Sequence, residues 1–515
     1  MSPNKQLSPW LITGFSVALV SLSFFTQGRI GFTYSDEGFL WYGAVHTLAG
    51  EIPILDFQSY DPGRYYWSAF WMMFFGESML ALRFAVAIFQ LLGLIFGMLV
   101  LRRVVHSWQM LGAIGLLMIL WMSPHYQRLF EISTSLIALS VACFLIDRPS
   151  LGRHFIAGAF TGLAAFFGRN LGVYCFVSFF FLISFIWARL DRSHLFEKFG
   201  TWSLGIIAGY SPMLLLLLFV PGFYDHTLVS IFEMLERGST NIFLPLQWPW
   251  LVDYTRLSLQ AGAHAFSFGA LLLLMPLYYV VASALVVCSS RDALRSRTVL
   301  LAGLAVGVLY VHYAFSRADL EHLMVSMPVL LVTMVAFPRD LGGIWVQRGH
   351  RALMIAFAAL TLFSAGVDSP LYRSASARAG TLVEYDVGGS DLWVTASDAK
   401  LLETVERIHA EIVPDTEGLL ILPFWPALYV LLERDSPLHE IYFLFAPSME
   451  RQREIIRQLE EKRVNWVLIG NLSLHESSAS RFRSTHPLLW EHLRTDFASV
   501  KVAGLQRNFA LLKRR

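Results

Sequence analysis

The chain has 515 residues, 55% hydrophobic and only 15% charged, a balance that excludes an ordinary soluble domain and leaves room for many apolar spans of about 20 residues. A formal net charge of +2 gives no reason to expect nucleic acid as a partner, and the charge is unevenly spread: the apolar part ends near Val367, and a soluble protein's charge density follows. Cys143, Cys175 and Cys288 all fall in apolar runs, which excludes a disulfide framework or a cysteine metal cluster in the polar part.

The first apolar run, Trp10–Thr26, has Lys5 as its only early positive charge and no small-residue cleavage pattern, so it reads as a retained helix and not a signal peptide. Further runs place spans near Leu82–Leu101, Trp108–Met122, Phe130–Ile146, Phe155–Phe167, Leu171–Trp187, Trp202–Val220, Ala265–Cys288, Val299–Tyr313, Leu323–Phe337 and Leu353–Val367. The expected architecture is a polytopic α-helical membrane protein of about eleven transmembrane helices with a C-terminal soluble α/β domain.

Alternate connections carry the Lys and Arg residues: Arg102 and Arg103; Arg148 and Arg153; Arg189, Arg192 and Lys198; Arg291, Arg295 and Arg297; Arg339, Arg348 and Arg351. The positive-inside rule makes these loops and the N-terminus cytoplasmic. The opposite face then receives the first loop (31–71), the loop around His125–Glu131, the turn at Arg169–Asn170, the long loop (221–257), Ser316–His322 and the C-terminal domain. In the long loop, Trp248-Pro249-Trp250 suits an interfacial aromatic belt, and a surface helix is expected near Leu228–Leu235.

The division expected is a membrane region, 1–367, and a second domain, 368–515. In the latter, Leu419–Leu422, Ile441–Phe445 and Trp466–Ile469 read as buried strands, while Ala427–Glu433 and Met449–Arg463 read as helices. That alternation predicts a largely parallel sheet, with a terminal hairpin from the VKVAG and FALLKR stretches. Phe424, Trp425 and Tyr429 read as core.

The chemistry-bearing residues gather on the outer side. Asp36 and Glu37 follow the first span so closely that their charge is costly, and a carboxylate there can act as a general base or bind a divalent cation with Glu51 or Asp61. Solvated loop residues would look the same. Asp61-Pro62-Gly63-Arg64-Tyr65-Tyr66-Trp67 adds a rigid turn, a cation and aromatic rings, which equally suits an interfacial anchor. Arg128, Arg169, Arg317 and His322 lie at span ends. In Ser316–Leu323 (SRADLEHL), Arg317 and His322 can converge on one anion such as a lipid phosphate, against the plainer pairing of Arg317 with Asp319 or Glu321. His125 and His322 lack the spacing of a zinc site.

Together, Asp36-Glu37 after the first span, the Asp61–Trp67 stretch and SRADLEHL before a late span resemble the GT-C superfamily of integral membrane glycosyltransferases, in the branch of protein O-mannosyltransferases and lipid A aminoarabinose transferases. The chain departs from that pattern by carrying Asp61-Pro62-Gly63-Arg64 where relatives often have a double proline.

The resemblance implies inverting transfer of a sugar from a polyprenyl-phosphate donor to a lipid, glycan or protein acceptor at the outer face of a membrane, expected to be the bacterial inner membrane. Asp36 would activate the acceptor with Glu37 in support. Arg64, Arg169, Arg317 and His322 would bind the donor phosphate, and Asp61, Tyr65 and Tyr66 would line the acceptor side. The resemblance fixes no cofactor, and a divalent cation is the candidate. The alternatives are an outer-face glycan polymerase or ligase, which would lean on a long late loop, a lipid-carrier flippase or transporter, which would place charges near the midplane, and a catalytically inactive binding or scaffold protein.

Overall fold

A computed structural model describes residues 8–123, 128–237, 242, 244–337, 343–376, 382–471 and 481–515. His125 and Arg339 lie outside the described residues. In chain order the helices begin with α1 (Pro9–Gln27), α2 (Asp36–Leu48), α3 (Gly63–Phe75) and α4 (Met79–Leu101). There follow α5 (Trp108–Trp121), α6 (Leu129–Asp147), α7 (Leu151–Phe167), α8 (Arg169–Arg189), α9 (Leu195–Gly209), α10 (Ser211–Phe219) and α11 (Phe223–Arg237). After the long loop come α12 (Leu259–Cys288), α13 (Arg291–Ser296), α14 (Thr298–Ser316), α15 (Leu320–Val335), α16 (Ile344–Thr361) and α17 (Pro370–Ser376).

Among the described residues, seven helices are long and apolar enough to cross a membrane: α1, α4, α6, α8, α12, α14 and α16 with its extension to Gly366. The α9–α10 pair, bent by 58°, is a broken eighth, and α5, α7 and α15 are shorter apolar helices. Every predicted span coincides with one of these elements, and the chain is an integral membrane protein. A helix expected near Leu228–Leu235 is present as α11.

The chain divides into two compact units, one of Met1–Gly28 with Arg83–Ser376, the other of Arg29–Leu82 with Ala377–Arg515. The stretch after the first span therefore belongs with the C-terminal region.

In the helical unit, α7 and α9 meet through small residues. A Cβ on Gly158 would fall 2.0 Å from the Trp202 carbonyl oxygen, one on Gly162 2.1 Å from that of Ile206, and one on Gly209 1.9 Å from that of Ala159. Gly158 and Gly162, like Gly205 and Gly209, are four residues apart, so the backbones touch along one stripe as in membrane helix pairs. The basic connections converge at one end of this unit. Arg103 pairs with Asp147 at 2.8 Å, Arg189 donates to the Ser289 carbonyl at 2.8 Å, and Lys198 pairs with Asp191 at 2.7 Å.

In the other unit, the presumed first loop is largely helical. Asp36 and Glu37 occupy the first turn of α2, where the helix dipole favours carboxylates, and Pro62 caps α3. Strands β1 (Leu382–Asp386) and β2 (Asp391–Thr395) form an antiparallel hairpin followed by α18 (Ala396–Glu411). Then come β3 (Leu419–Leu422), α19 (Ala427–Leu431), α20 (Met449–Glu461), β4 (Trp466–Gly470), α21 (Phe482–Thr485), α22 (Pro487–Asp496), β5 (Phe497–Val500) and β6 (Phe509–Arg514). Leu420, Leu422, Ile455, Leu459, Val467, Ile469, Leu489 and Leu493 build its core.

The four-stranded sheet has the order β3-β4-β6-β5, with only β3 and β4 parallel. This corrects the expectation of a largely parallel sheet: a helical crossover joins just one strand pair, and a terminal hairpin, β5–β6, supplies the antiparallel half, its first strand lying before the expected VKVAG stretch and sharing only Val500 with it. Ile441–Phe445 is also corrected, from strand to extended segment outside any ladder. The backbone N–H groups of Ile441 and Tyr442 both go to the Gln58 amide oxygen, at 3.1 and 2.9 Å, and that of Phe443 to the Pro423 carbonyl at 2.7 Å. These groups are satisfied without a neighbouring strand.

Candidate active site

The sequence-predicted residues fall into two groups, each within one unit. Asp36, Glu37, Asp61, Arg64, Tyr65 and Tyr66 lie in the unit that contains the C-terminal region; Arg169, Arg317 and His322 lie in the helical unit.

The first group is built on the starts of α2 and α3. Asp36 is half-buried while Glu37 is buried, so Asp36 is the accessible member of the pair. Gly38 lets α2 approach the C-terminal region: a Cβ there would fall 2.5 Å from that of Ala427 on α19. Tyr34 stacks on Trp425 with centroids 5.2 Å apart and donates to Asp398 at 3.3 Å. Phe424, Trp425 and Tyr429 are buried, as expected of core residues.

Within this frame the Tyr442 hydroxyl donates to Asp36 Oδ1 at 2.8 Å. Burial first, and then the Asp36 charge, push the Tyr442 phenol well above its ordinary value, so it remains an O–H donor. Tyr442 escapes a reading of the sequence because it sits inside an apolar run. The visible signal is its polar tip, flanked by the buried Ile441 and Phe443.

Asp61 and Arg64 are both buried, and the Arg64 guanidinium lies 5.1 Å from the Tyr60 ring centroid. Tyr65 is fully buried and accepts from the Tyr60 N–H at 3.0 Å, its ring filling the space a Cβ on Gly43 would take. Burial pushes up the phenols of both Tyr65 and Tyr66. Glu51 is turned to His46, whose Nδ1 is 3.0 Å away.

The second group stands at the end of the helical unit opposite its basic connections. Asp319 caps α15, its Oδ1 accepting from the His322 N–H at 2.9 Å, and the same oxygen lies 2.7 Å from His322 Nδ1. Its other oxygen is 2.6 Å from Arg317 Nε, so the plainer pairing is the one found. His322 stacks on Tyr313 at 5.4 Å, and its Nε2 is buried without a hydrogen-bond partner among the described residues. Arg128 Nη1 donates to the Tyr313 hydroxyl at 3.3 Å, and its Nη2 lies 3.5 Å from Glu321. On α8, Arg169 donates to Ser230 on α11 at 3.0 Å.

Among the described residues, the group of three His, Asp or Glu ligand atoms close enough for one metal ion is Glu460, His492 and Asp496. It is an i,i+4 pair joined by an exposed glutamate, and it includes neither predicted group.

No protein-family model matches the sequence, and no curated protein does. Solved structures do. ArnT from Cupriavidus metallidurans in the apo state superposes with a TM-score of 0.53 at 14% identity, over 97% of this chain and 98% of that one. The same protein bound to undecaprenyl phosphate gives 0.50 at 12% identity, over 98% and 97%. The archaeal oligosaccharyltransferase AglB from Archaeoglobus fulgidus, in complex with an inhibitory peptide and a dolichol-phosphate, gives 0.39 at 11%, over 90% and 69%. Over nearly its whole length, the chain has the fold of ArnT.

Proposed function

We propose that this protein is a glycosyltransferase that moves a sugar from a polyprenyl-phosphate donor to an acceptor hydroxyl at the outer face of the membrane, inverting the anomeric centre. The observation that carries the reading is the placement of Asp36, accessible and oriented at the start of α2, in a chain with the fold of a protein that binds undecaprenyl phosphate.

In this scheme Asp36 takes the proton of the acceptor hydroxyl as its oxygen attacks the anomeric carbon. The bond from that carbon to the phosphate oxygen breaks, and polyprenyl phosphate leaves with the electron pair. One in-line displacement requires no covalent enzyme intermediate. Glu37 supports the acidic site, and Asp61 and Tyr66 belong to the acceptor side. Tyr65 is better suited to shaping that wall than to touching acceptor, because its hydroxyl is already used.

Arg64, the cation of Asp36's own unit, is suited to meet charge on the departing phosphate, and Arg317, Arg169 and His322 are proposed as the phosphate-binding groups of the helical unit. With His322 Nδ1 turned to Asp319, its Nε2 would donate to phosphate only as an imidazolium. The basic ends of the helices face the cytoplasm in this reading, in the bacterial inner membrane. The scheme has no step through a metal.

The test is transfer of labelled sugar from a panel of polyprenyl-phosphate sugars to membrane extract by the purified protein. Transfer from one donor, lost in Arg317→Ala, supports the proposal. Transport of the lipid without sugar transfer would replace it with the flippase reading.

A further inference from the structure

We infer that Tyr442, in the C-terminal region, is a positioning residue for Asp36, fixing one carboxylate oxygen so that the other is presented to the acceptor. This rests on the glycosyltransferase reading for its consequence but on geometry for its existence.

The contact at 2.8 Å uses Oδ1. Among the described residues no protein group donates to Oδ2, and the side chain is half-exposed, so the second oxygen is open to a ligand. An aspartate at a helix start can otherwise turn its carboxylate about χ2, which is a broad torsion. One strong donor selects a single orientation, and hydrogen bonds to ionised acceptors are the strong kind.

The tyrosine is itself held in place from three sides. Its N–H and that of Ile441 share the Gln58 amide oxygen, the Gln58 N–H donates to the His439 carbonyl at 2.8 Å, and His439 Nε2 lies 3.0 Å from the Ile54 carbonyl oxygen. The ring packs against Phe39 of α2 at 5.3 Å and against Phe424 at 6.0 Å. Segment 54–58, between α2 and α3, is thereby tied to 439–442, and the tie ends on the carboxylate. The C-terminal region thus does more than cap the chain: it completes the surroundings of Asp36.

The test combines two readouts on the full-length protein. Infrared difference spectra, wild type minus Asp36→Asn, isolate the Asp36 carboxylate band without any turnover. The band is expected at the position of a hydrogen-bonded carboxylate in the wild type and to move in Tyr442→Phe, which keeps the ring. In the transfer assay Tyr442→Phe is expected to lower kcat about tenfold, with KM for the donor unchanged, as befits one charged hydrogen bond. A wild-type band already at the position of a free carboxylate, or one that Tyr442→Phe leaves in place, overturns the inference. A band that moves in a protein that transfers no sugar keeps the contact and removes the glycosyltransferase reading instead.

Discussion

Asp319 grips His322 twice, through the backbone N–H at 2.9 Å and through Nδ1 at 2.7 Å, while its other oxygen meets Arg317 at 2.6 Å. One carboxylate thus starts α15 and sets two of the proposed phosphate-binding groups. Asp319→Ala is expected to lose the cap and the carboxylate that Arg317 and the His322 ring share, at about 2 kcal/mol of stability. Asp319→Asn keeps a cap and should cost less. Thermal melting of the two variants in the same detergent orders them; equal melting temperatures for Ala and wild type would refute the account of this end of α15.

The α7–α9 stripe predicts a size threshold. Gly162→Leu cannot be accommodated where a Cβ alone would fall 2.1 Å from a carbonyl oxygen, so the helices must part. Gly162→Ala should be intermediate, whereas Gly152→Ala, with nothing within 4 Å, should be neutral. Yield of monodisperse protein by size-exclusion chromatography, with melting temperature, reads the series.

In the C-terminal region, burial lowers the His486 imidazole from 6.5 to about 4. The unfolded chain takes up a proton near pH 6.5, while the folded one stays neutral until about pH 4. The stability is therefore complete above pH 6.5 and is lost as pH falls through the window. Between pH 7 and 5 the loss amounts to about 2 kcal/mol. Stability curves of the wild type and His486→Gln should converge as pH falls; parallel curves would show that the imidazole is not buried as described.

Chelation separates the two roles open to the carboxylates. With Asp36 as general base, transfer should survive EDTA with less than a twofold change. Loss on chelation and recovery with a divalent cation would make Asp36 and Glu37 ligands instead.

Much of this was legible in the sequence because lipid imposes a coarse code: long apolar runs predicted every apolar helix named above among the described residues, and the acidic pair stood out because charge is costly beside a span. The glycine stripe of α7 and α9 was equally readable from its four-residue spacing but lay inside apolar runs that drew attention to length alone. Hidden altogether were contacts between distant segments. Gln58 replaces a strand as the partner of Ile441 and Tyr442, and no local pattern tells a strand from an extended segment satisfied by one side chain. The hydroxyl of Tyr442 meets Asp36 for the same reason, across 406 positions of chain.

The most direct measurement compares Asp36→Asn with wild type for sugar transfer and for binding of polyprenyl phosphate. Transfer reduced by at least about a hundredfold with binding retained is the predicted result, as expected when a general base is removed from an intact site. Undiminished transfer by Asp36→Asn would contradict the assignment of Asp36 as the base, and with it the central claim.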